Sequence, residues 1–86
     1  MMLATLNPIN EKVQVTKLRN GAFPARFVWR GYEHEVRRVE ACWTERRRDW
    51  FGAIRRHGYR VWVGEQVYDL YQDIDSQQWV LERQLN

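Results

Sequence analysis

"YRVWVGEQVYDLY", residues 59–71, decides the fold. Apolar side chains recur at every second position, the period of a strand with one buried face, and the alternation restarts across Gly64-Glu65. Glycine at the first of two central residues suits a type II′ turn. That turn sets Val61 opposite Tyr68 and Tyr59 opposite Leu70, with Arg60 across from Asp69 as an opposite-charge pair. Downstream, "DIDS" (73–76) reads as a four-residue loop of turn formers. Continuing the pairing beyond it sets Leu70 opposite Trp79 and Tyr68 opposite Leu81. Tyr59, Val61, Val63, Tyr68, Leu70, Trp79 and Leu81 then share one face, so three strands agree on a core.

Upstream of this meander, "VQVTKLR" (13–19), Asn20-Gly21 and "AFPARFVW" (22–29) form a second hairpin signal, because Asn-Gly accepts the positive φ of a tight turn. Pro24 lacks a ladder donor, which predicts an edge or a bulge there. A turn at Arg30-Gly31 sets Trp29 against Tyr32, Phe27 against His34, Ala25 against Val36, and Arg26 against Glu35. Apolar parity then switches: Tyr32, His34 and Val36 are even, whereas Val39, Ala41 and Trp43 are odd. A β-bulge at Arg37-Arg38 accounts for the switch and assigns Trp43, with Tyr59, to the barrel core. Residues 1–11 show no sustained period and read as a flexible arm. Residues 12–86 read as one β domain with a basic-aromatic connector at 44–58. Within it, Thr44 caps one short helix in 44–54. The expected fold is all-β: a small five- to six-stranded antiparallel meander curled into an SH3-like or split barrel. Its last strand, "QWVLERQL" (78–85), is read as an exposed edge.

Composition narrows the function. With 86 residues the chain is one domain, and a single cysteine, Cys42, excludes an internal disulfide framework. No apolar run reaches the roughly 20 residues of a membrane helix, and the N-terminus lacks the features of a secretory signal. A cytoplasmic protein without a membrane partner is expected. The net charge of +3 is unevenly spread: thirteen Lys or Arg against five acids from Lys12 to Arg60, but one Arg against five acids from Val61 onward. Twelve of the fourteen basic residues are arginine, the residue that grips phosphate bidentately and stacks on rings. This points to a polyanion on one side of the molecule.

The connector concentrates the chemistry. Arg46, Arg47, Arg48, Arg55 and Arg56 supply phosphate-binding charge, and Trp50 and Phe51 supply either base-stacking platforms or a lid over one end of the barrel. Arg37 and Arg38, re-aimed by the bulge, extend the patch. Arg26, Arg30, Arg37 and Arg38 otherwise read as surface partners of Glu33, Glu35 and Glu40. No metal-ligand spacing or phosphate loop occurs, so no cofactor is expected. Cys42 and His57 have no orienting group in the sequence; Cys42 reads as a small buried apolar residue and His34 as a half-buried sheet residue. The reading is a non-enzymatic nucleic-acid-binding module, with DNA favoured over RNA. The alternative is a protein-docking or homodimerising module that uses an exposed sheet edge.

The ordered set Phe27, Trp29, Arg30, Gly31, Val36, Trp43, Tyr59, Tyr68, Leu70, Tyr71 and Trp79 resembles a small bacterial domain-of-unknown-function family with a Phe-x-Trp-Arg-Gly core, a Tyr-x-Leu-Tyr strand and a final Trp-x-Leu strand. Related segments end the catalytically degenerate Y-family polymerase subunit of bacterial mutasomes. The resemblance spans about residues 13–85 and implies a DNA repair or replication setting, with DNA or a replication or repair protein as partner.

Overall fold

Seven strands order the chain in the computed structural model, which describes residues 7–50 and 52–86: β1 (Asn7–Arg19), β2 (Phe23–Trp29), β3 (Tyr32–Glu35), β4 (Arg38–Asp49), β5 (Gly52–Val63), β6 (Gln66–Asp73) and β7 (Trp79–Gln84). They form one antiparallel sheet in the order β3-β2-β1-β7-β6-β5-β4. The all-β expectation holds, with seven strands in place of five or six. β1 already starts at Asn7, inside the stretch read as an arm, because residues 7–13 pair with β7. That pairing also makes β7 an interior strand, so the edge expected there lies instead at β3 and β4.

The turns follow their local chemistry. Gly64 has φ 57, as a type II′ turn requires, and Val61, Tyr59 and Arg60 face Tyr68, Leu70 and Asp69 as read from the sequence. Arg30 and Gly31 sit at φ 52 and 79, both in the left-handed region. Arginine is an unusual tenant of that region, and its side chain shows what holds it there. The Arg30 guanidinium donates to both Glu11 oxygens, Trp29 Nε1 donates to Glu11 Oε1 at 3.0 Å, and Arg30 stacks 4.7 Å from the Trp29 ring centroid. The Glu11 carboxyl is held at about 2, mainly by the Arg30 hydrogen bond and then by Trp29.

A corner at Val36-Arg37 joins the two ends of the sheet. Val36 N–H donates to the Ala25 carbonyl at 2.9 Å, and Arg37 N–H donates to the Trp62 carbonyl at 2.7 Å. One kinked run of chain thus serves both ends: β3 pairs with β2, and β4 pairs with β5. Among the described residues β3 and β4 do not pair with each other, so the sheet is curled but not closed into the expected barrel.

Two registers depart from the sequence reading. The loop closes over 74–77, with Asp73 N–H donating to the Gln78 carbonyl, one residue later than read. This shifts β7 by two residues, setting Leu70 against Leu81 and Gln72 against Trp79, and a bulge between Asp69 and Leu70 adds one more beyond it, leaving Tyr68 against Gln84. A shift of two keeps every side chain on its face, so the core assignment survives. In β4 a second irregularity falls between Val39 and Ala41, beyond the corner at 36–37. It reverses the faces once more: Cys42 lies opposite Tyr59, and Trp43 lies opposite Gly58 on the outer side of the sheet. Trp43 is therefore not a core residue, and Cys42, read as buried, is exposed.

The core itself comprises Phe27, Val36, Tyr59, Val61, Tyr68, Leu70 and Leu81, with Ile9, Val13, Val15, Val63 and Trp79 packed against it. Phe27, Val61, Leu70 and Leu81 have no exposed surface. His34 stacks on Phe27 with ring centroids 5.2 Å apart, a half-buried sheet residue as expected.

Candidate nucleic-acid interface

The basic stretch expected to be a connector with a short helix is the outer half of the β4–β5 hairpin. Thr44, Glu45, Arg46, Arg47 and Arg48 lie opposite His57, Arg56, Arg55, Ile54 and Ala53. Cross-strand pairing satisfies these backbones along two strands of twelve residues, which leaves no segment for a helix. β6 accompanies β5 only to the Arg56–Asp73 pair, so beyond Arg56 the hairpin continues as a two-stranded ribbon.

Alternation divides this ribbon into two chemically different faces. On the outer face, Arg56 is largely buried and engaged. Its Nε donates to Glu45 Oε2, its Nη2 lies 3.2 Å from Glu82 Oε2, and its guanidinium stacks 3.9 Å from the Tyr71 ring centroid. Burial opposes the Arg56 charge, yet the Glu45 hydrogen bond and the Glu82 carboxylate still raise its pKa. The Arg56 bond is also the main cause of the lowered Glu45 pKa.

From there the chain of contacts continues. Glu82 accepts from Arg83, Arg83 lies 3.7 Å from Asp69, and Asp69 accepts from Arg60 at 2.9 and 3.2 Å. Arg60 sits 5.9 Å from the Trp43 ring centroid, and Trp43 Nε1 donates back to Glu45 at 3.2 Å. Three arginines and three carboxylates thus close a neutral circuit across β4, β5, β6 and β7. Its tightness shows at Gly58, where a Cβ would stand 2.2 Å from Trp43 Cε2. Arg56 is therefore engaged within the protein, between two carboxylates and the Tyr71 ring.

The inner face carries Thr44, Arg46 and Arg48 beside Ala53, Arg55 and His57. Arg46, Arg48 and Arg55 on this face are exposed, and so is Arg47, which alternation puts on the outer face with Glu45 and Ile54. Arg46 is set directly across from Arg55, an arrangement of like charges that costs stability unless an anion intervenes. Asp75 supplies a partial counter-charge to Arg55 at 3.5 Å, and both side chains are open to solvent. Thr44 Oγ1 and His57 Nδ1 are hydrogen-bonded at 3.0 Å, so His57 is partnered by Thr44 and not by Cys42. Trp50, at the hairpin tip, is 98% exposed and covers nothing, which rules out the lid for this residue. Phe51 lies outside the described residues.

Arg37 and Arg38 do not join the ribbon. Both stand 5.3 Å from the Trp62 ring centroid, Arg38 pairs with Glu40, and Trp62 Nε1 donates to Glu40 at 3.0 Å. Eight positions of strand, roughly 26 Å, separate Arg38 from Arg46. Arg26 pairs with Glu35 and Glu33 as the sequence suggested, whereas the partner of Arg30 is Glu11 from β1. The Arg60–Asp69 pair was legible in the sequence; the joining of Glu45, Glu82 and Arg83 to it was not, because four strands must assemble first.

Among the described residues no group of three His, Cys, Asp or Glu is placed to hold a metal ion. Nor is there a helix among them long and apolar enough to cross a membrane. In comparison with known proteins, the family model described as "Domain of unknown function (DUF6504)" matches residues 4–86, and the chain belongs to that family. No curated protein and no solved structure matches it.

Proposed function

With membership of that family as the premise, we propose that the chain is a non-enzymatic nucleic-acid-binding module that works in the cytoplasm as an accessory to DNA repair or replication. One observation carries the reading. The β4–β5 ribbon extends past its β6 neighbour and presents Arg46, Arg47, Arg48 and Arg55 to solvent with a fully exposed Trp50 at its end. Arginines along a backbone track beside an exposed aromatic are the parts single-strand binders use: charge for phosphates and a ring for bases. The circuit around Arg56 gives the ribbon a stiff base. The resemblance to the C-terminal segment of the mutasome polymerase subunit supports the repair setting, with DNA as the favoured polyanion.

Fluorescence polarisation with labelled oligonucleotides at two salt concentrations tests the reading. Single-strand affinity should fall with salt at a log–log slope of about 0.7 for each neutralised phosphate, hence about 3 for four arginines. A flat salt dependence, or no binding at low salt, defeats the proposal. A second reading rests on a different observation: among the described residues β4 is an edge strand of the sheet, with β5 as its one strand partner. Such an edge suits docking to a repair protein or to a second copy. Light scattering decides the homodimer by mass.

A further inference from the structure

A cleft of about 450 Å³ opens where β1 parts from β7, a size within the range of small-molecule sites. The last β1–β7 pair is Val13–Trp79; from Gln14 onward β1 runs with β2. Into the gap turns the 74–78 segment. Trp79, Lys12, Gln14, Gln72, Gln77 and Gln78 line the opening, and no carboxylate does. Trp79 is anchored from behind by Tyr59, at 5.4 Å between ring centroids.

The turn that supplies two of the glutamines is built with care. Gln77 holds φ 62, in the left-handed region where a residue with a side chain is strained. Its N–H donates to the Asp73 carbonyl at 2.8 Å, while Gln72 Nε2 donates to the Gln77 carbonyl at 3.3 Å. Ser76 N–H donates to Asp73 Oδ1 at 2.7 Å, and Ser76 Oγ accepts from Gln78 N–H at 3.3 Å. Glutamine side chains present a donor and an acceptor side by side without charge, the complement of a base edge, and an indole offers a stacking face. The same turn is docked on the basic ribbon: Ile74 N–H donates to the Arg55 carbonyl at 2.9 Å.

We propose that this cleft receives an unstacked nucleobase of a single-stranded nucleic acid whose phosphates run onto Arg55 and the ribbon arginines. The inference rests on the nucleic-acid-binding reading and adds to it the strand type and a base-binding site. Trp79 stacks the base, the glutamines bond its edge, and Lys12 takes a flanking phosphate. Asp75 holds Arg55 in the free protein, so a phosphate displaces it from an exposed pair that contributes little.

The experiment compares three labelled probes with the intact protein: a single strand, the same strand with abasic sites, and a duplex. Gln14→Ala/Gln78→Ala, at two exposed positions, should weaken the base-bearing single strand about tenfold, the scale of one good hydrogen-bonded base contact, and leave the abasic strand unchanged. Asp75→Asn should tighten both single strands a few-fold. Base-dependent binding that Gln14→Ala/Gln78→Ala weakens supports the site, and comparing deoxyribose with ribose strands identifies the sugar. Base-dependent binding that this variant leaves unchanged assigns the base to Trp50 and overturns the cleft, as does equal affinity for base-bearing and abasic strands or for duplex and single strand; salt-dependent binding in those outcomes leaves the ribbon arginines as the phosphate track. Absence of salt-dependent binding by every probe overturns both.

Discussion

β5 is one strand with two fates. Its C-terminal half, Tyr59 to Val63, lies between β4 and β6 and sends Tyr59 and Val61 into the core. At its N-terminal end, residues 52–55, β4 is the one paired strand among the described residues, and Ala53 and Arg55 face solvent. Both ends belong to one β-strand. What differs is the number of neighbours able to cover a face, since a hairpin with no third strand has nothing to bury against. Stability is thus concentrated at one end of the strand and the exposed cationic chemistry at the other.

The largest effect should come from cutting the buried end. Leu70→Ala removes a side chain with no exposed surface and should cost about 2–5 kcal/mol, read in urea or thermal unfolding. At the other end, Arg47→Ala/Arg48→Ala should move stability by no more than about 0.5 kcal/mol. Comparable losses at the two ends would break the contrast.

Gly58 marks the boundary between the halves. Gly58→Ala drives a methyl into the Trp43 ring and should destabilise by about 1–3 kcal/mol, because the ring must move away from its Glu45 hydrogen bond. Adding Trp43→Ala should recover part of that loss, a coupling measurable as a double-mutant cycle. Trp50→Ala, with no packing to lose, should leave unfolding unchanged but weaken single-strand binding by about 1–3 kcal/mol if a base stacks there. In the same titration, Arg47→Ala/Arg48→Ala should lower the salt slope by about 1.4, and Arg56→Lys, inside the circuit, should lower stability more than it lowers the slope.

The smallest effect is at Glu11. Its carboxyl titrates lower folded, at about 2, than its ordinary value of 4.5. Its contribution is therefore present above about pH 4.5 and fades as pH falls toward 2. Glu11→Gln should lower the unfolding midpoint at neutral pH and flatten its change across that window. An unchanged slope there removes the Glu11–Arg30 tie as the support for the Arg30 turn.

Much of this was legible in the sequence. Strict alternation over 59–71 identified the core face, and Gly64, Asn20-Gly21 and Arg30-Gly31 marked their turns, because turn geometry and side-chain period are local properties. The Arg60–Asp69 and Arg26–Glu35 pairs followed from those turns. Three matters did not: the β7 register, the face of Trp43, and the pairing of 44–49 with 52–57 as a hairpin. The first turns on which four of several turn formers close the loop, the second on a bulge that leaves no local mark, and the third on a hairpin whose arginines carry no strand alternation.

By itself, then, the sequence determined an all-β chain, the inward face of the 59–71 hairpin, and an arginine-rich segment that no core could absorb. Tertiary structure decided the rest. It placed β1 beside β7, turned the corner at Val36-Arg37 so that both sheet ends share one run of chain, and left the sheet open along β4. It also sorted the arginines. Arg56 met Glu45 and Glu82 across three strands and became structural, while Arg46, Arg47, Arg48 and Arg55 remained open to solvent. Identical side chains in one short segment took different roles because charge is read locally, but partners are assigned only by the assembled sheet.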